Sequence, residues 1–224
     1  MKTAIVSASK DNNYDQSLLS VSLRGIKETI ITQFDVFNYP DNSCGLSTVY
    51  NNFLEKHGKD YDIAVFVHDD VFIDDANFIN KVAEGFDVYD IIGVAGGFNP
   101  VIKKPTLWHL MCQRENLRGI AGHFHPGLEQ VSYSVYGHVP ARVSLLDGLF
   151  LAVNIKKINE VGWRFNENFD FHLYDLASCM DANAKKLKMG VLPIYLIHKS
   201  PGLHSIEDPV FVRNQKKFLE IYGS

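Results

Sequence analysis

The stretch that most constrains the fold is residues 62–70, Asp-Ile-Ala-Val-Phe-Val-His-Asp-Asp. Its apolar run from Ile63 to Val67 is rich in β-branched residues and has no polar position to give to solvent, so it predicts a strand buried on both faces. In an open α/β sheet the ligand crevice lies at the carboxyl ends of the strands. His68, Asp69 and Asp70 stand at that end, and two adjacent carboxylates there suit a metal–phosphate site. The competing reading is a loop that caps the next helix, a task for which Asp74 and Asp75 are better placed.

The segments on either side alternate strand and helix. Residues 3–7 form a short apolar strand running into a polar loop, and Leu18, Leu19, Val21, Leu23 and Ile26 then keep one apolar face at helical spacing. A strand over 32–37 and a loop-to-helix passage over 45–55, capped by Ser43 or Ser47, lead back to the central strand. This pattern predicts a single α/β domain with a mainly parallel, Rossmann-like central sheet flanked by helices and joined by right-handed crossovers. Residues 1–96 read as its nucleotide-binding half, including a helix bearing Phe78, Ile79, Val82 and Phe86 and a strand over 91–95.

From 97 to 142 the pattern becomes irregular. Pro100, Pro105, Pro126 and Pro140 are interspersed with Trp108, His109, His123, Phe124, His125, Tyr133, Tyr136 and His138, which reads as an acceptor-side insert of functional loops. Residues 143–224 form the remaining half. An apolar run over 143–153 is interrupted by Asp147-Gly148, the mark of a bend, a bulge or a close ligand approach. Helices follow over 155–161, over 173–188 with Lys185, Lys186 and Lys188 in its last turn and Gly190 as its stop, and over 209–222. A strand over 191–197 and a loop over 198–202 stand between the last two.

Charge and cysteine content narrow the partners. With a net charge of -4 and no basic block longer than Lys103-Lys104 or Lys185-Lys186, the chain has no electrostatic footprint for nucleic acid or an anionic membrane. Cys44, Cys112 and Cys179 are odd in number and far apart, which fits reduced thiols used for packing in a cytoplasmic protein. The apolar stretch 3–8 is too short for a signal peptide or a membrane span, so any membrane association is expected to be peripheral. Oligomeric state is left open.

Taken in order, Gly45-x-Ser47-x-x-x-Asn51, the strand ending in His68-Asp69-Asp70, Asp147-Gly148, Tyr174-Asp175 and His198 resemble the glycosyltransferases of the GT-A fold. They are closest to the bacterial glycosyltransferase-like families associated with capsule and surface polysaccharide synthesis. The resemblance implies a nucleotide-sugar donor, most readily a uridine diphosphate sugar, a saccharide acceptor, and a manganese or magnesium ion held by Asp70 and His198. It also implies that Ser7, Ser9, Asn51 and Asp69 contact the donor, that Asp147 and Gly148 line the sugar and acceptor pocket, and that Asp175 is the base of an inverting reaction. His68 departs from the family pattern, which often has an acid there, and its role is left between outer ligand and donor contact.

Each of these residues has a plainer reading. Ser7 and Ser9 are also good turn residues, Asn51 a polar helix position, and His198 a hydrogen-bonded structural histidine. Asp175 is also an acid favoured by a helix N-terminus, where the dipole would weaken it as a base. His123-x-His125 lacks the partners of a zinc site and fits better in an acceptor pocket. Two rival functions remain: a non-catalytic GT-A-like domain that binds nucleotide or saccharide, and a metal-dependent nucleotidyltransferase. The second is disfavoured because no glycine-rich, basic phosphate loop follows the first strand.

Overall fold

A computed structural model describes residues 1–29, 33–125, 129–199 and 206–223. The first half runs β1 (Thr3–Ala8), α1 (Leu18–Thr29), β2 (Phe34–Tyr39), α2 (Leu46–Lys56), β3 (Ile63–Val67), β4 (Val71–Ile73), α3 (Phe78–Gly85), β5 (Ile91–Gly93) and β6 (Ala95–Gly97). The second runs α4 (Trp108–Met111), β7 (Leu117–His125), β8 (Gln130–Gly137), β9 (Ala141–Val143), β10 (Leu145–Leu146), β11 (Phe150–Asn154), α5 (Ile155–Glu160), α6 (Tyr174–Ala184), β12 (Met189–Val191), β13 (Leu196–His198) and α7 (Pro209–Tyr222). The expected strand start at Thr32, Pro126 of the insert and the loop positions 200–202 lie outside the described residues.

Seven strands form one sheet in the order β2-β1-β3-β11-β5-β12-β9. The central run is its spine: Ile63, Ala64, Val65, Phe66 and Val67 are all buried, between β1 on one side and β11 on the other. Five of its seven strands, β2, β1, β3, β5 and β12, point the same way, so the sheet is mainly parallel with two reversed strands. β1, β2 and β3 are parallel, but β11 lies antiparallel to both β3 and β5, and β9 is antiparallel to β12. A run buried on both faces looks alike in either direction, so its composition could not disclose this reversal.

The second sheet corrects the expected irregular insert. β7 and β8, the two longest strands, form an antiparallel hairpin, and β7 continues the order β10-β6-β7-β13-β4. The period-2 signal is present in Gln130-Val131-Ser132-Tyr133-Ser134-Val135, where Val131, Tyr133 and Val135 are exposed. Flanking prolines and histidines obscured it.

Other local expectations shift too. Neither Ser43 nor Ser47 caps α2: Gly45 occupies the cap without a side-chain bond, and Leu46 N–H donates to the Asp170 carbonyl at 2.8 Å. Glycine is needed there because a Cβ would lie 2.7 Å from Asp170 Cα. α6 ends at Ala184, with Lys186 in the left-handed region at φ 60°, so the lysines lie past the helix and Gly190 belongs to β12. Cys112 and Cys179 are buried as expected, whereas Cys44 is exposed.

Candidate active site

The chain leaves β3 at Val67, turns through residues 68–70 and enters β4 in the other sheet. The turn thus sits where the two sheets meet. β13 runs antiparallel to β4 with His198 opposite Val71, and Lys199 N–H donates to the Asp70 carbonyl at 2.9 Å. That register brings His198 beside Asp70, with Nε2 3.2 Å from Oδ1.

His68, Asp70 and His198 each offer a ligand atom within 4.8 Å of the others. The Asp70 side chain is 40% exposed, yet its Oδ1 is buried and accepts no aligned hydrogen bond among the described residues. The approach of His198 is therefore a close charge contact without the alignment of a hydrogen bond. A buried carboxylate oxygen left in this state is costly unless a cation or an aligned donor meets it. Two imidazoles and a carboxylate suit manganese, and magnesium less well. The donor set fits the implied ion, and it adds His68 to the expected pair.

The electrostatics divide the two histidines. Burial lowers the pKa of His68, although Asp70 pulls the other way. Burial opposes protonation of His198 too, but there the Asp70 carboxylate prevails and raises it. Burial also works to raise Asp70, and the two histidines outweigh it, leaving its pKa below the usual carboxylate value. Asp69 moves up, chiefly through burial, with Asp70 adding to the rise.

Behind this turn stands the loop after β10. Register places Phe150 opposite Val67, and His68 N–H donates to the Leu149 carbonyl at 3.2 Å, so residues 147–149 lie beside the cluster. Asp147 is held at both oxygens: Oδ2 accepts from Trp108 Nε1 at 2.8 Å and Oδ1 from Leu149 N–H at 3.1 Å. Gly148 N–H donates to Asp175 Oδ2 at 2.9 Å, and its carbonyl accepts from the Tyr174 hydroxyl at 2.9 Å. A Cβ at residue 148 would lie 2.6 Å from Tyr174 Oη and 2.9 Å from Asp175 Cβ. The break in the apolar run is thus a close approach between loop and helix.

Tyr174 and Asp175 open α6 directly after Leu173, which adopts φ 66°. A left-handed leucine costs roughly 1–2 kcal/mol, so packing must hold it there. The pKa of Asp175 is pushed up to about 7 by burial first and by Asp147 second, against the hydrogen bonds it accepts. The dipole objection is outweighed, and the group is poised to exchange a proton near neutral pH.

The donor-side residues are placed unevenly. Ser7 and Ser9 follow β1, and both hydroxyls donate to Asn38 Oδ1 at 3.0 Å. Asn51 is fully committed elsewhere: Nδ2 donates to the Phe165 carbonyl and to Glu167 Oε1, and Oδ1 accepts from Phe165 N–H. These bonds brace the loop before α6 and engage both N–H groups of the Asn51 amide within the protein. Sequence reasoning passed over Trp108 as the partner of Asp147 and Phe171, whose exposed ring stacks on His68 with centroids 6.3 Å apart. Tyr174, which in the sequence stands out only as the neighbour of Asp175, lies 3.1 Å from His68 Nε2 through its hydroxyl.

No curated protein sequence matches the chain. Among solved structures it is similar to Staphylococcus aureus TarS 1–349 in complex with UDP (10% identity, TM-score 0.51), over 98% of this chain and 72% of that one. It is also similar to a mutant Drosophila β1,4-galactosyltransferase 7 in complex with manganese, UDP-Gal and xylobiose (9% identity, TM-score 0.53), over 86% of this chain and 66% of that one. A third likeness is to the mannosyltransferase PcManGT of Pyrobaculum calidifontis in complex with GDP-Man and Mn2+ (9% identity, TM-score 0.53), over 90% of this chain and 58% of that one. At these identities the likeness concerns the fold, which is that of GT-A glycosyltransferases. The description "Glycosyltransferase like family" matches residues 4–222, so the chain belongs to that family and is a glycosyltransferase of GT-A fold.

Proposed function

We propose that the chain is a metal-dependent, inverting glycosyltransferase that moves a sugar from a uridine diphosphate sugar to a hydroxyl of a saccharide acceptor. The observation that carries this reading is the His68–Asp70–His198 cluster, whose ligand atoms converge within 4.8 Å around a buried carboxylate oxygen that accepts no aligned hydrogen bond among the described residues. Support also comes from the UDP, UDP-Gal, manganese and GDP-Man named with the similar structures.

Asp70, His198 and His68 would hold manganese or magnesium, which when bound neutralises charge on the departing diphosphate. Asp69, beside the Ser7 and Ser9 end of β1, would orient the donor's ribose or sugar. Asp147, fixed at both oxygens, would border the transferred sugar together with Gly148. Asp175 would take the proton of the acceptor hydroxyl as the acceptor oxygen bonds to the anomeric carbon and the diphosphate oxygen leaves. The acceptor would enter past the aromatic wall of Trp108 and Tyr136, whose centroids lie 4.8 Å apart.

The setting we favour is polysaccharide assembly in the cytoplasm. Among the described residues no helix is long and apolar enough to cross a membrane. The test is a thermal-shift screen of nucleoside diphosphates with and without manganese. The expected result is stabilisation by manganese with a uridine nucleotide, abolished in Asp70→Ala; an unchanged shift in that variant defeats the site assignment.

A further inference from the structure

We propose that Tyr174 is a positioning residue that fixes the tautomer of His68, so that Nδ1 is the imidazole nitrogen left with a lone pair for a ligand. The argument is one of proton counting along a short chain. The Tyr174 hydroxyl lies 2.9 Å from the Gly148 carbonyl, and a carbonyl oxygen can only accept. For both contacts of this hydroxyl to be hydrogen bonds, its single proton goes to Gly148. His68 Nε2 lies 3.1 Å from the same hydroxyl oxygen, which has only lone pairs left to offer in that direction. Nε2 must donate and so carries the ring proton, which leaves Nδ1 bare.

Burial reinforces the arrangement. Tyr174 is 3% exposed, its ring is packed near Tyr50 and Phe165, and a Cβ at Gly148 would collide with its hydroxyl, so the tyrosine has little freedom to swing away. A hydrogen bond from the non-ligating nitrogen is how a ligating imidazole is commonly oriented and made more basic. Here a tyrosine and a backbone carbonyl serve that purpose. The consequence for metal binding rests on the proposed function; the tautomer itself does not.

The test is a long-range proton–nitrogen correlation spectrum of the 15N-labelled, metal-free protein at pH 8, with the His68 signals identified by their loss in His68→Gln. The expected spectrum shows a protonated, pyrrole-like Nε2 and an unprotonated, pyridine-like Nδ1 for His68, and a mixture of the two tautomers in Tyr174→Phe. A proton on Nδ1 in the wild-type protein overturns the proposal, as does an unchanged spectrum in Tyr174→Phe. Should that variant fail to fold, the wild-type spectrum decides alone. Free manganese, followed by electron paramagnetic resonance, supplies the second readout: Tyr174→Phe is expected to bind it about tenfold more weakly or worse. If the wild-type protein binds no manganese while His68 holds its proton on Nε2, the functional reading falls and the role of Tyr174 stands.

Discussion

Replacing Asp175 by asparagine should make the protein both inactive and more stable. The pKa of Asp175 rises from 3.8 to about 7 on folding, mainly through burial and secondarily through Asp147. The folded state therefore binds this proton more tightly than the unfolded chain does. The stability this gives is fully present below the unfolded pKa, and it is lost as pH rises through about 7. A rise of about three units, at ~1.36 kcal/mol each, sets an upper bound of ~4 kcal/mol on what ionisation costs the fold. Asp175 is partly exposed, and solvent lowers that cost. About half the bound, roughly 2 kcal/mol, is the expected effect, and for a domain of this size it corresponds to about 4–8 °C in Tm.

Asparagine keeps an oxygen that can accept from Gly148 N–H but never ionises. At pH 8, Asp175→Asn should melt about 4–8 °C above the wild type; at pH 5, where the unfolded chain still ionises its aspartate, the gap should shrink to roughly 2–3 °C, closing only below the unfolded pKa of 3.8. The same variant should lose about 10²–10⁴ in kcat, with donor KM little changed, since the base acts on the acceptor. Wild-type kcat/KM should fall about tenfold per pH unit below about 7, the pKa of Asp175. A variant that melts no higher at pH 8, or whose advantage persists undiminished at pH 5, would refute the strained carboxylate. Retained activity would refute the base.

Two further substitutions separate neighbouring roles. Gly148→Ala places a Cβ 2.6 Å from Tyr174 Oη in a packed setting, so it should lower Tm by the equivalent of about 1–3 kcal/mol and kcat by about 10²-fold. Wild-type melting and turnover in that variant would show that the contact is not tight. Asn51→Ala leaves Phe165 N–H without its acceptor and should cost about 1–3 kcal/mol, read as a lower denaturation midpoint. It should keep the manganese–nucleotide thermal shift, and losing that shift while remaining folded would restore Asn51 as a donor contact.

The sequence disclosed most where one physical signal dominated. The run from Ile63 to Val67 could be nothing but a buried strand, and its position fixed where His68, Asp69 and Asp70 would emerge. The mainly parallel sheet was legible, but the reversal of β11 was hidden because burial on both faces carries no directional information. Asn51 shows a second limit. A polar residue on a helix looks the same whether it meets a ligand or a loop, and only tertiary structure brings Phe165 and Glu167 to its amide. Ser47 adds a third, since its hydroxyl is buried beyond Gly45 rather than capping the helix.

What no local pattern could convey is how the two chemical tasks are joined. The cation cluster depends on the sheet corner, where β4 and β13 bring His198 to Asp70. The proposed base, Asp175, depends on α6, which a left-handed leucine precedes. Gly148 touches both: its N–H holds Asp175, and its carbonyl holds the Tyr174 hydroxyl that reaches His68. One peptide position therefore sets the placement of the proposed proton acceptor and of the proposed ligand imidazole together, and a displacement at either is transmitted through short, directional bonds to the other. Glycine at 148 is required by this double contact, because any side chain would occupy the space through which the two halves of the site are tied.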